Sequence, residues 1–356
     1  MVDRNFILKS LDDAIVKCKP NFETMHTVKQ IARYFGYKYE GLLNEMPKEA
    51  KYWSCDGGWS DFDLKVEGKV YKFTDPKNDN LPFYVYEDLL DTKTGRLIGD
   101  TYKDVVLDKD EWYNYLDFEN LDEKSKEIFI NATSYPLKEF FKDYEDLPEQ
   151  FKKSIGELVI DRHGGTIGGH TLPLLDEDKP DKNLIIMHRP SIEQAGFSFH
   201  NSEYFKNRKH GWDNEFIRGD MRYVLFHEVN HALSHYLGYN RPNRKDDAEF
   251  DMEFLQRTNA YVKGRKLDEK LTGDKYAGDY ATSAKSFSED CADTGALMLL
   301  KALSKNDKNY NRRVMFKYPK GGAYPPNRED VFNIDDFLKR YPNRVNGLNK
   351  YLDLEL

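Results

Sequence analysis

Five consecutive residues, His227-Glu228-Val229-Asn230-His231, put two imidazoles four positions apart, with a carboxylate directly after the first. A helix advances by roughly 100° per residue, so positions i and i+4 lie about 40° apart on one face. Two imidazoles placed so can share one zinc ion, and Glu228 can take a proton from a water that the metal polarises. The flanks predict a helix starting near Asp220. Met221, Val224, Leu225, Val229, Ala232, Leu233 and Tyr236 recur at helical spacing, Asp220 can cap the start and Gly238 can close the end. A helix apolar nearly all round belongs in a core. Histidines and a glutamate buried there need a reason, and a metal supplies one.

A catalytic zinc needs three protein ligands and one open position. The metzincin pattern needs a histidine ten positions after the first, but Leu237 stands there. His235, two turns beyond His227, is expected beside the site or at the surface. A better third ligand lies in Phe287-Ser288-Glu289-Asp290-Cys291-Ala292-Asp293, where Glu289 and Asp293 are four apart and share a helix face. Glu289 can bind the metal while Asp293 accepts the ring N–H of a liganding histidine, which fixes the tautomer. A competing role exists, since Ser286-x-x-Glu289 is a capping-box pattern, but that role leaves Asp293 with nothing to do. Asp274, in Leu271 to Gly278, has the wrong order and spacing for a ligand.

His227-Glu228-Val229-Asn230-His231, followed 58 residues after His231 by Glu289 and then Asp293, resembles the gluzincin metallopeptidases. Glu289-x-x-Ala292-Asp293-x-Gly295 is most similar to the neprilysin form of that second element. Gly278-Asp279-Tyr280-Ala281 is similar to the tyrosine-alanine pair that precedes the glutamate helix in anthrax lethal factor and in metallopeptidase-like proteins of phage head-assembly loci. Here Tyr280 stands about two positions further from the glutamate than in that group, and Asp293 replaces its usual glutamate. The resemblance covers roughly residues 155 to 303. It implies a zinc-dependent endopeptidase with one Zn2+ per chain, held by His227, His231 and Glu289, with Asp293 behind a histidine. Glu228 would be general base and then proton shuttle to the leaving amine, and Tyr280, with Tyr276 as second choice, would donate to the developing oxyanion. The substrate would be a protein or peptide. Two rivals are a phage or virion assembly protein that retains the fold, and a toxin or effector protease.

These residues need elements to hold them. Leu158-Val159-Ile160 and Leu184 to Met187 are predicted strands, Gly196-Phe197-Ser198-Phe199 a further one, and His163 to His170 a glycine-rich turn. The glycines there make no phosphate loop, because no Gly-Lys-Ser/Thr follows. With the His227 helix and a second helix from about Ser288, the order predicts an α+β, zincin-like catalytic domain: a small mixed sheet packed on both helices. One edge of that sheet would bind an extended peptide. Upstream, Leu11 to Tyr39 has helical spacing broken at Pro20, Tyr52 to Phe73 reads as a strand pair turning at Gly68-Lys69, and Asp108 to Phe151 is mostly helical in pattern. The expected organisation is therefore an α/β N-terminal domain over 1–150, the catalytic domain over 151–305, and a C-terminal loop and helical tail over 306–356.

Composition bounds the remaining classes. With 54 Lys+Arg against 62 Asp+Glu, the 356-residue chain has a formal charge of −8, which argues against a nucleic-acid partner. No apolar run approaches the roughly 20 residues of a membrane span. The first residues lack the apolar core of a signal peptide, and three scattered cysteines, Cys18, Cys55 and Cys291, make no disulfide framework. A cytoplasmic setting is expected, either the cell's own, a host's or a virion's. An aromatic share of 14% argues against disorder.

Overall fold

The computed structural model describes residues 21–44, 68–98, 135–161, 168–174, 182–188, 214–236, 248–277, 281, 285–303, 316–317, 331–332 and 334–356. Helix α1, Val28–Phe35, starts at a reciprocal capping box between Thr27 and Gln30 and stops at Gly36, whose φ of 78° suits a glycine. Tyr37, expected near the end of a helical stretch, instead leads into strand β1, Lys38–Leu43, which contains Tyr39. It pairs antiparallel with β2, Val70–Asp75, and β2 pairs antiparallel with β3, Leu81–Tyr86. The predicted strand at Val70-Phe73 is thus part of β2, with partners before and after it. The expected partner upstream, within 52–67, lies outside the described residues.

Helices α2, Leu137–Glu145, and α3, Glu149–Lys153, follow. Their aromatic residues join those of α1 and the sheet in one cluster. Phe141 lies with its ring centroid 5.3 Å from both Phe73 and Phe83, and Tyr144 meets Phe83 edge-on at 4.9 Å. The chain then enters β4, Ile155–Asp161, β5, Gly169–Pro173, and β6, Asn183–His188. The six strands form one mixed sheet in the order β1-β2-β3-β4-β6-β5. Centrally, β3, β4 and β6 run parallel and β5 returns antiparallel along β6. All three parallel strands are buried along their whole length, as parallel strands covered on both faces should be. The boundary expected near residue 150 falls just before β4. Because β4 pairs with β3, strands from either side of that point share one sheet.

Three long helices complete the site's surroundings: α4, Asn214–Tyr236, α5, Ala248–Thr272, and α6, Phe287–Leu303. Helix α4 begins six residues before the expected cap at Asp220. It packs on β5 and β6 and against α6. Buried Asn183 fastens this corner by donating to Ser154 O at 2.8 Å and Ala232 O at 3.0 Å. Helix α5 has no counterpart among the predicted elements. The tail expected over 306–356 contributes α7, Ile334–Arg340, and α8, Pro342–Leu352, which packs along α5. Gly196 to Phe199 lies outside the described residues. In coarse class the protein is a mixture of helices and sheet, as α+β requires. Among the described residues, no helix is long and apolar enough to cross a membrane.

Candidate metal centre

His227, Glu228 and His231 sit in the second half of α4, where Leu225, Phe226, Val229, Ala232 and Leu233 are buried. The apolar spacing therefore embeds the polar residues in the core. Helix α6 crosses α4 at the same level. Ser286 caps α6 by accepting the Glu289 N–H at 3.3 Å, so half of the capping box forms. The other half does not, because the Glu289 carboxylate turns to the histidines. Its Oε2 lies 3.0 Å from His227 Nε2 and 3.3 Å from His231 Nε2, and the two Nε2 atoms are 3.0 Å apart.

Three donor atoms thus form a triangle with edges of 3.0 to 3.3 Å. Ligands about 2.0–2.1 Å from a tetrahedral zinc stand roughly 3.3 Å from one another. The triangle fits that face, and these residues are the one group with this convergence among the described residues. Hydrogen bonding alone serves the triangle poorly, since a proton on either Nε2 can point well at only one of the other two atoms.

The outer partners complete the geometry. His227 Nδ1 donates to Asp293 Oδ1 at 2.9 Å, and the Tyr223 hydroxyl donates to the same oxygen. His231 Nδ1 lies 3.2 Å from Ser288 Oγ. With both Nδ1 atoms engaged, both Nε2 atoms are left toward Glu289, the orientation that metal-binding imidazoles need. Electrostatics point the same way. Burial disfavours charge on His227 but the Asp293 and Glu289 carboxylates outweigh it and hold its pKa well above the usual imidazole value. Burial would likewise raise Glu289, yet hydrogen bonds from the two imidazoles hold it well below the usual carboxylate range. The site is built for positive charge among carboxylates.

Glu228 leaves α4 toward β5. Thr171 Oγ1 donates to Glu228 Oε2 at 2.7 Å, and also lies 2.9 Å from the Glu228 backbone oxygen. Gly169 leaves room for the side chain: a Cβ there would stand 2.9 Å from Glu228 Cγ and 2.9 Å from Ile186 O. Strand β5 therefore cradles the carboxylate.

The structure brings together His227, His231, Glu289 and Asp293. Tyr280 lies outside the described residues. Tyr276 is engaged elsewhere, its hydroxyl donating to Lys285 O at 2.9 Å. Asp274 lies apart from the histidines and accepts from Arg340 Nη2 at 2.6 Å and from Tyr341 at 3.0 Å. His235 is on α4, but its side chain is outside those described. Sequence reasoning missed Tyr223, Thr171 and Ser288. Tyr223 alone left a signal, since it precedes His227 by four positions and shares its face. No family model, curated protein or solved structure matches this chain.

Proposed function

We propose that the protein is a zinc-dependent endopeptidase of gluzincin type, with His227, His231 and Glu289 as ligands of one zinc per chain and a zincin-like arrangement of α4, α6 and the sheet around them. The observation that carries this reading is the donor triangle, together with Glu228 on the same helix, whose carboxylate is not part of that triangle. Bound zinc would supply Lewis acidity toward a carbonyl oxygen and toward water. Glu228 acts as general base and returns the proton to the leaving amine. Thr171 holds one oxygen of Glu228 and leaves the other for that proton. Asp293, steadied by Tyr223, keeps His227 in the liganding tautomer. The substrate is a protein or peptide in extended form, and β5, last in the sheet among the described residues, is the edge along which it would lie. Tyr280 is the proposed oxyanion donor, because the Tyr276 hydroxyl already serves Lys285.

Metal analysis of the purified chain should find one zinc. Glu289→Ala should lose it and Asp274→Asn should keep it. Glu228→Gln should retain zinc yet cleave a peptide library at least about a hundredfold more slowly, the low end for general acid–base catalysis. Zinc retained by Glu289→Ala would overturn the ligand set. Hydrolysis at full rate by Glu228→Gln would remove the base and leave a metal protein of another kind.

A further inference from the structure

Helix α8 carries a fully buried arginine. Arg344 Nη1 meets both carboxylate oxygens of Asp290, at 2.9 and 3.0 Å, and Nη2 donates to Asp274 O at 2.7 Å. Asp290 follows Glu289 directly in the first turn of α6. It also accepts from the Tyr261 hydroxyl of α5 at 2.6 Å and from the Ala277 N–H at 2.6 Å. The arginine is itself fixed from behind. Asp268 of α5 accepts the backbone N–H groups of Asn343 and Arg344, at 3.2 and 2.8 Å, and so caps α8. Gly264 and Gly347 let α5 and α8 approach backbone to backbone, since a Cβ at either would fall within 2.6 Å of a main-chain atom of the other helix.

Stability alone does not call for this arrangement, because well-packed apolar residues often replace a buried ion pair without loss. A guanidinium contributes direction, since its planar Nη1 and Nη2 hold two acceptors, the Asp290 carboxylate and the Asp274 carbonyl, at a fixed spacing. The carboxylate so held is one residue from Glu289, and the loop held with it, 274–277, leads toward that turn.

We propose that Arg344, through Asp290, is a positioning residue: the C-terminal helix clamps the turn of α6 that presents Glu289 and so preorganises the metal centre. The metal part of this proposal rests on the reading of Glu289 as a ligand, whereas the clamping of the turn does not.

The test uses the full chain and the double variant Asp290→Asn/Arg344→Met, which removes both charges of that pair, beside a control, Glu40→Gln/Lys72→Met, which breaks an ion pair between β1 and β2, outside the clamp. Two properties are read on protein shown to be folded. In metal-free protein, backbone hydrogen exchange over 287–293 should quicken about tenfold or more in the double variant, with 221–233 of α4 unchanged. In a competition with a chelator, zinc affinity should fall roughly tenfold, as for loss of an outer partner, and the visible bands of bound cobalt should change. The control should match the parent in both. If the double variant does not fold, Arg344→Lys takes its place, because a lysine keeps the charge but cannot grip two acceptors as a fork. Parent-like exchange over 287–293 would overturn the clamp, and so would parent-like zinc affinity with parent-like cobalt bands. A parent that takes up neither metal would overturn the proposed function, and the exchange comparison would still decide the clamp.

Discussion

Asp293 accepts two donors on one oxygen, His227 Nδ1–H and the Tyr223 hydroxyl. The tyrosine hydroxyl thus reaches the candidate metal centre through the aspartate, which sets an order of effects. Asp293→Ala should weaken zinc binding by roughly ten- to a hundredfold, because His227 loses the acceptor that fixes its tautomer. Tyr223→Phe should weaken it less, since the aspartate still holds the imidazole. A chelator titration of both variants would check the order, and an equal or larger loss in Tyr223→Phe would show that the hydroxyl has a direct role. Asp293 was legible in the sequence as the i+4 partner of Glu289. Thr171 was not, because its contact with Glu228 spans 57 positions and joins a strand to a helix, where no spacing rule applies.

Two helices must cross closely for Glu289 to reach the histidines, and Gly295 marks the crossing. A Cβ there would lie 2.1 Å from Asn230 Oδ1, and Asn230 is tied back to Phe226 O at 2.8 Å. Gly295→Ala should therefore force α4 and α6 apart, at about 1–3 kcal/mol, the usual range for overpacking. Urea melts should show that loss, and zinc affinity should fall with it. Unchanged stability would mean that Asn230 can swing away freely. The glycine stood out in the sequence only as part of a string, and its reason is the second helix. Helix α5 shows the converse. It was missed because its buried face includes Gly264 and Asp268 beside Tyr261, and a face built from such residues has no apolar periodicity to read.

Across the whole molecule, segments from before and after residue 150 are joined by buried polar contacts as well as by the sheet. Asp143 of α2 accepts from Tyr135 at 2.5 Å and from Arg222 of α4 at 2.6 Å. Burial pushes its pKa up to about 6, against the pull of Arg222 and the Tyr135 hydrogen bond. The folded value lies above the unfolded one, so the native state holds this proton more tightly. Its contribution to stability is complete below about pH 4 and is lost as pH rises through about 6. The stability of the parent relative to Asp143→Asn should therefore decline between those values and level off above them. Denaturant titrations of both proteins across that range test this, and a constant difference would show that Asp143 titrates alike in both states.

The sequence by itself determined what local periodicity and spacing encode. These are the helical face that carries His227 and His231, the second helix with Glu289 and Asp293, and the apolar cores of β4 and β6. Each depends on residues within one or two turns, so the pattern is complete in the local chain. Tertiary structure alone decided which end of the molecule holds that face in place. The pairing of β3 with β4, the cradle of Glu228 on β5 and the grip of Arg344 on Asp290 join residues far apart in the chain. A buried ion pair or a parallel strand pair leaves no periodic trace in either partner. Its cause is the complementarity of two surfaces that meet only once the chain has folded.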